Sequence, residues 1–336
     1  MDGIYILGND VVFDQVIALI NSIQAHNGDR YPICVLPYNE QVERLKKAVA
    51  NYDGVSVLED ETLFNRWDDF VTKAWEEVAS RYEFWNKGGT HEGIHRMGTH
   101  RRFIAFDLDA PFERFLYLDA DTITLLSLED FFQRLDANDF ITYDFQYKDP
   151  SHVFNMDLEE TRNFLEKDNN AKRIFCSGMF ASKAGLIGAE DREKIVASLK
   201  ADQGKFLYPQ APDQTLLNYI SIILNFSYSN LSLDLPKEQV TGCCVTSKHF
   251  EEREWRLYDK GNPLTYLHYI GLSSKLFGRL CGGENIDFPY RDVFLHYRYL
   301  KTPSERPEFT GKPVPYNAPP GFLARVKKKV KQKLGI

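Results

Sequence analysis

Phe115-Leu116-Tyr117-Leu118-Asp119-Ala120-Asp121 is the stretch that decides the fold of this chain. Four apolar residues in succession read as a buried strand, and two carboxylates follow where such a strand runs out. In an extended segment residues i and i+2 face the same side, so Asp119 and Asp121 can address one point in space. Two hard oxygen donors there suit Mg²⁺ or Mn²⁺, above all an ion shared with a diphosphate. Such an ion offsets phosphate charge and stabilises a nucleotide-diphosphate leaving group. A solvated turn would also accommodate Asp-x-Asp, but the apolar run before it favours a functional pair.

The sequence on either side gives this strand its neighbours. Ile4 to Leu7 is a second short apolar run, and it opens into Gly8-Asn9-Asp10. Val16, Leu19, Ile20 and Ile23 follow at helical spacing, and Asn27-Gly28-Asp29 closes that helix. Tyr31 to Leu36 reads as a strand, Glu40 to Ala50 as a helix and Val55 to Leu58 as a strand. This rhythm predicts an α/β fold with a single, mostly parallel central sheet flanked by helices. Ligands of such sheets bind beyond the carboxyl ends of the strands. Further on, Phe64 to Phe84 and Arg101 to Leu108 read as helices, and Phe140 to Tyr143 as a strand. Phe175 to Ser182, Asp213 to Leu224 and Leu264 to Ile270 are core-like runs. Between them Asn86 to His100, rich in glycine and carrying His91, His95 and His100, reads as an irregular loop; the histidine spacing fits no zinc signature.

Composition narrows the function classes. With 43% hydrophobic and 26% charged residues in 336, the chain is globular rather than disordered. A net charge of −7 argues against a nucleic-acid partner, which needs clustered cations. Five cysteines without a C-x-x-C spacing argue against a zinc or disulfide scaffold and fit a reducing cytoplasm. The start of the chain lacks a basic segment before a short apolar run, unlike a signal peptide. No apolar run reaches the roughly eighteen residues a membrane span needs. Residues 1–300 show no internal boundary and are expected to form one domain. Residues 301–320 carry six prolines and read as an extended wrapping segment. Residues 321–336 place Leu323, Val326, Val330 and Leu334 on one helical stripe among Arg325 and five lysines. That pattern fits either peripheral docking on the cytoplasmic face of an anionic membrane or a solvated tail.

The motifs, in their order, resemble those of GT-A fold (nucleotide-diphospho-sugar transferase) glycosyltransferases, in particular family 8, the group of glycogenin and the bacterial galactosyltransferases. The resemblance spans roughly residues 1–280. It rests on Asp119-Ala120-Asp121, on Arg102 seventeen residues upstream, and on Cys176-Ser177-Gly178, where the family usually has Asn first. It continues in Asp213-Gln214-x-x-Leu217-Asn218 and in His268-Tyr269-Ile270-Gly271. The family's Lys-Pro-Trp after the last motif is absent, and Lys275 stands one position late. The resemblance implies a metal-dependent, retaining transfer of a hexose from a UDP-sugar to a hydroxyl of a glycan or glycolipid acceptor. It implies Asp119, Asp121 and His268 as ligands of Mn²⁺ (or Mg²⁺). Gly8, Asn9, Asp10, Arg102, Ala120, Gly271 and Lys275 are implied at the donor. Asp213 and Gln214 are implied at the reacting carbon, where an amide oxygen can stabilise oxocarbenium-like charge. Asp213 after Pro212 also suits a helix N-cap.

Two other functions compete. Phe106-Asp107-Leu108-Asp109 and Leu118-Asp119-Ala120-Asp121 both imitate the first motif of haloacid-dehalogenase-like phosphatases, although neither continues as that motif does. A non-catalytic nucleotide-sugar-binding adaptor is compatible with Cys176 and the missing Lys-Pro-Trp.

Overall fold

The computed structural model describes residues 1–79, 90–91 and 94–318, and its centre is a seven-stranded sheet. The strands are β1 (Asp2–Gly8), β2 (Ile33–Pro37), β3 (Val55–Val57), β4 (Arg114–Asp119), β5 (Phe140–Thr142), β6 (Met179–Lys183) and β7 (Tyr228–Asn230). Their spatial order is β7-β5-β6-β4-β1-β2-β3. Every neighbouring pair is parallel except those made by β6, which runs against both β4 and β5. The sheet is thus mostly parallel, as the alternation of strands and helices predicts.

β4 lies between β1 and β6, and its pleat explains its unbroken apolar run. Phe115 and Tyr117 enter one core layer, with Trp67 and Trp75 of the helix Glu61–Ala79. Leu116 and Leu118 enter the other, with Val16, Ile17 and Ile20 of the helix Phe13–Asn27. Both faces are covered over Phe115 to Leu118, so none of these four positions is left for a polar residue.

Beyond Asp119 the chain leaves the sheet. It turns at Ala120 and Asp121 and enters Thr122–Thr124, which pairs antiparallel with Tyr266–His268. Leu267 and Tyr269 then join a third cluster that includes Phe294 of the helix Arg291–Arg298. That helix docks on Phe13–Asn27 through an Arg298–Asp14 ion pair at 2.7 Å and an Asn21 side-chain bond to the Tyr297 carbonyl at 2.8 Å.

Several elements differ from the sequence reading. The helix expected at Arg101 to Leu108 is a 3₁₀ helix over Met97–Phe106. It is buried along nearly its whole length and so lacks the one-sided pattern that marks a helix boundary. It enters from Arg96 in the left-handed region, φ 53°. In the stretch read as an irregular loop, Thr90–His91 pairs antiparallel with Ile94–His95. His100 is a core residue whose Nε2 accepts from the Trp75 indole at 3.0 Å. The helix read over Phe64 to Phe84 begins earlier, at Glu61, and is described to Ala79. Within residues 301–318, Val314–Pro315 pairs in parallel with Ile286–Asp287. The basic stretch 321–336 lies outside the described residues. No described helix is long and apolar enough to cross a membrane.

Candidate active site

The carboxyl ends of β1, β2 and β4 open into a cleft of about 480 Å³. Gly8 and Asn9 at the end of β1 line it, as do Arg102, Asp119, Ala120 and Asp121. Arg96, which the sequence offers as an alternative to Arg102, lines it too, and the sequence reading missed Tyr38, Asn39, Leu272 and Ser274, which also line it. No motif marks them, because they come from strand ends and turns that only the fold brings together.

Asp119, Asp121 and His268 place one ligand atom each within 4.8 Å of one another. The pleat alone does not achieve this: β4 ends at Asp119, and Asp121 sits in the turn beyond. The Asp121 carbonyl accepts from the Tyr269 amide at 2.8 Å, which binds that turn to the strand carrying His268. His268 Nε2 lies 3.2 Å from Asp121 Oδ1. The His268 side chain is 7% exposed, whereas those of Asp119 and Asp121 keep 25% and 27%. The carboxylates therefore face the cleft while the imidazole is held from behind. Gly178 makes this possible, since a Cβ there would come 2.5 Å from His268 Cε1. Cys176, where the family usually has Asn, brings its thiol within hydrogen-bonding reach of the same ring.

Electrostatics tie these groups together. Burial raises the Asp119 carboxyl above its usual range, although Arg102 opposes the shift. Burial acts on Asp121 in the same direction, but His268 outweighs it and holds this carboxyl low. Burial would lower His268, but Asp121 and Cys176 raise it well above an ordinary histidine. The metal-free pair is thus carboxylate and imidazolium. Two hard oxygens and one imidazole form a donor set suited to Mn²⁺ or Mg²⁺, and an ion bound there displaces the imidazolium proton.

Arg102 is 3% exposed and lies behind this group. It meets four protein acceptors: Thr99 O at 3.0 Å, Ser177 O at 2.6 Å, Asp119 at 3.0 Å and Asp213 at 2.9 Å. A guanidinium has five N–H groups, so little of this one remains for a diphosphate. Its place in the structure is to hold Asp119 and Asp213 in position. Asp213 is not the N-cap of the helix Pro212–Ile223; Ala211 is, and no side chain caps that end. Burial would raise the Asp213 carboxyl, but Arg102 overrides this and holds it at about 2. Gln214 turns its Oε1 to the Ser177 amide at 3.1 Å, so the Asp213-Gln214 and Cys176-Ser177-Gly178 segments form one unit.

Asp213, Gln214 and His268 stand behind the cleft lining, and three further sequence candidates, Asp10, Gly271 and Lys275, stand apart from it. The Asp10 carboxylate accepts from the Leu45 amide at 2.9 Å and the Arg44 amide at 3.1 Å, fixing the start of the helix Glu43–Val49. Gly271 is exposed in a left-handed turn, φ 80°. Lys275 is exposed on the first turn of the helix Ser274–Cys281, one position beyond the lining residue Ser274. Asp107, the candidate phosphatase nucleophile, is buried against Trp67 Nε1 at 2.8 Å and Arg66 at 2.7 Å, which leaves it a structural role.

Asp144 was absent from the sequence candidates. It comes after the apolar run of β5 as Asp119 comes after that of β4: Phe140-Ile141-Thr142-Tyr143 and then the acid. It is buried, burial raises it to about 7, and its Oδ2 has no partner among the described residues.

No protein-family model matches the chain, and no curated protein matches it. Solved structures do. The bifunctional glycosyltransferase WbbM, in its apo form, superposes with a TM-score of 0.53 at 14% identity. That match covers 90% of this chain and 51% of WbbM, so the chain spans about half of that protein's length. The galactosyltransferase LgtC, solved with donor and acceptor sugar analogues, superposes with a TM-score of 0.50 at 14% identity, covering 84% of this chain and 95% of LgtC. These likenesses show the fold, which is the GT-A fold.

Proposed function

We propose that this GT-A chain transfers a hexose from a UDP-sugar to an acceptor hydroxyl on a glycan or glycolipid, with retention of anomeric configuration and a divalent metal ion. The observation that carries the proposal is the convergence of Asp119, Asp121 and His268 at the end of the central strand, with both carboxylates lining the cleft and the imidazole behind them. WbbM and LgtC, glycosyltransferases of the same fold, support it.

Asp119, Asp121 and His268 would hold Mn²⁺ or Mg²⁺, and a divalent ion there supplies charge neutralisation for a departing diphosphate. The protein's own part is orientation. Arg102 keeps Asp119 turned to the cleft and Asp213 ionised beside it. Asp213, fixed at its low pKa, stays anionic through the physiological range and contributes negative potential where an oxocarbenium-like centre gains positive charge. Gln214 is held by the Ser177 amide rather than by solvent, so its position is set before substrate arrives. Retention with no dedicated protein base follows if the leaving phosphate oxygen takes the acceptor proton.

Calorimetric titration of UDP into the native protein and into Asp121→Ala, each with and without Mn²⁺, tests the donor assignment. Mn²⁺-dependent binding that is lost in the variant supports it, and release of glucose or galactose from the matching UDP-sugar then tests turnover. Absence of UDP binding in both conditions overturns the uridine assignment; binding without turnover on any acceptor favours the adaptor.

A further inference from the structure

A second concavity of about 600 Å³ shares a wall with the metal-ligand group. Cys243 and Cys244 line it. On the other side of that wall the Cys243 carbonyl accepts from the His268 amide at 2.7 Å, and the His268 carbonyl accepts from the Val245 amide at 2.9 Å. Phe145, the residue after Asp144, lines the groove as well. A molecule lying in this groove therefore ends one strand away from the centre where the donor sugar would be held.

The charge of the groove is opposite to that of the protein. The chain carries −7 overall. Here Lys148, Lys237 and Lys260 line one cavity, all three exposed, and none forms an ion pair with a described residue. The one acid among the lining residues, Asp259, makes no ion pair with these lysines. It is 5% exposed, and its two oxygens are taken by the Gly242 amide at 2.8 Å and by His249 at 3.2 Å. Lys148 lies over the Phe145 ring, 4.5 Å from its centroid, so an aromatic face and an ammonium group adjoin at the inner end. Three unpaired ammonium groups around one groove form a seat for an anion.

We propose that the acceptor is an anionic glycan, one whose phosphate or other acidic substituent is seated by Lys148, Lys237 and Lys260. This deepens the proposed glycosyl transfer and depends on it only for the word acceptor; the groove's preference for anions is measured separately.

The probes are a methyl galactoside and its 6-phosphate, titrated into the full chain saturated with UDP and Mn²⁺ so that the donor cleft is blocked. The phosphorylated sugar is expected to bind about tenfold more tightly than the neutral one, a preference that weakens with added salt. In the variant Lys148→Ala/Lys237→Ala/Lys260→Ala the preference falls to about threefold or less, UDP affinity is unchanged, and the triple Lys→Arg variant retains the preference. The substituted side chains are exposed, so the fold is not at risk, and an unchanged melting temperature checks this. Equal affinity for the two sugars, binding of neither, or a preference that survives in the alanine variant overturns the proposal. So does flotation with vesicles of phosphatidylcholine and phosphatidylglycerol that the alanine variant loses, when no sugar-phosphate preference accompanies it; the lysines then serve a membrane surface. If the native protein binds no UDP, the same titration on the unloaded chain still decides the groove, and only the donor assignment fails.

Discussion

Two regions of this molecule bury charge, and they do it differently. At the seam where the helix Arg291–Arg298 meets Phe13–Asn27, one arginine answers one acid: Arg298 with Asp14. In the cleft, three carboxylates (Asp119, Asp121 and Asp213) face Arg102 and His268, and Asp144 lies nearby. The seam balances itself. The cleft does not: even while His268 keeps a proton, three acids face two cations. Burying unmatched charge is costly, so a structure that keeps it has a use for a further cation.

The largest effect is expected where that excess is greatest. Asp121→Ala or Asp119→Asn should reduce Mn²⁺-dependent glycosyl transfer by about a hundredfold or more, through loss of the ion that neutralises the leaving group. The same variants should lose the rise in melting temperature that Mn²⁺ and UDP give the native protein. Transfer that persists at the native rate would remove the distinction between the two regions.

Arg102→Met addresses the cleft from behind. Removing a buried guanidinium leaves Asp119 and Asp213 without their partner, at an expected cost of about 3–5 kcal/mol by urea denaturation. It also increases the acid excess. Mn²⁺ alone, without UDP, should therefore bind more tightly to this variant than to the native protein and restore part of the lost stability. Weaker Mn²⁺ binding would instead mean that Arg102 matters chiefly for aiming Asp119.

His100 gives the cleft's inner wall a pH dependence. Burial lowers its pKa to about 4, and the ring accepts from Trp75 while packing beside Phe103. The unfolded chain has the ordinary histidine value near 6.5 and binds more protons between those limits. Stability is therefore full above about pH 6.5 and declines as pH falls towards about 4, by about 3 kcal/mol from this residue. His26, also lowered to about 4 at the seam, acts in the same window, so the His100 share is read as the difference between the native protein and His100→Gln. An unchanged slope in the variant would show that His100 is protonated in the fold.

How much of this was legible beforehand follows from the same physics. β4 and its two acids could be read because a strand buried on both faces writes itself as a solid apolar run, and a carboxylate at its end then stands out. Arg102 could be located by its spacing to Asp119, but its task could not: only the fold shows that Thr99, Ser177, Asp119 and Asp213 take up its N–H groups. Asp10 resembled a donor-loop residue because Gly-Asn-Asp marks a turn, and a turn does not say which way its carboxylate points; here it points to the amides of Arg44 and Leu45. The 3₁₀ helix Met97–Phe106 escaped because burial on all sides leaves no periodicity to detect. Asp144 carried the same strand-then-acid signal as Asp119, but a single acid has no i+2 partner to make the signal conspicuous.

The seam supplies the smallest effect and the control for the rest. Arg298→Met should cost about 1–3 kcal/mol, less than Arg102→Met, because one acid rather than two loses its partner and both side chains stay partly open to water. Adding Asp14→Asn should return part of that cost, since removing both members of a balanced pair leaves no stranded charge. The cost should be the same with and without Mn²⁺ and UDP, and UDP affinity should not move. A balanced pair has nothing to ask of a ligand. Were Arg298→Met to weaken UDP binding or to respond to Mn²⁺, the seam and the cleft would be coupled through the helix Phe13–Asn27, which packs beneath β1 and β4, and charge balance alone would no longer separate a structural region from a functional one.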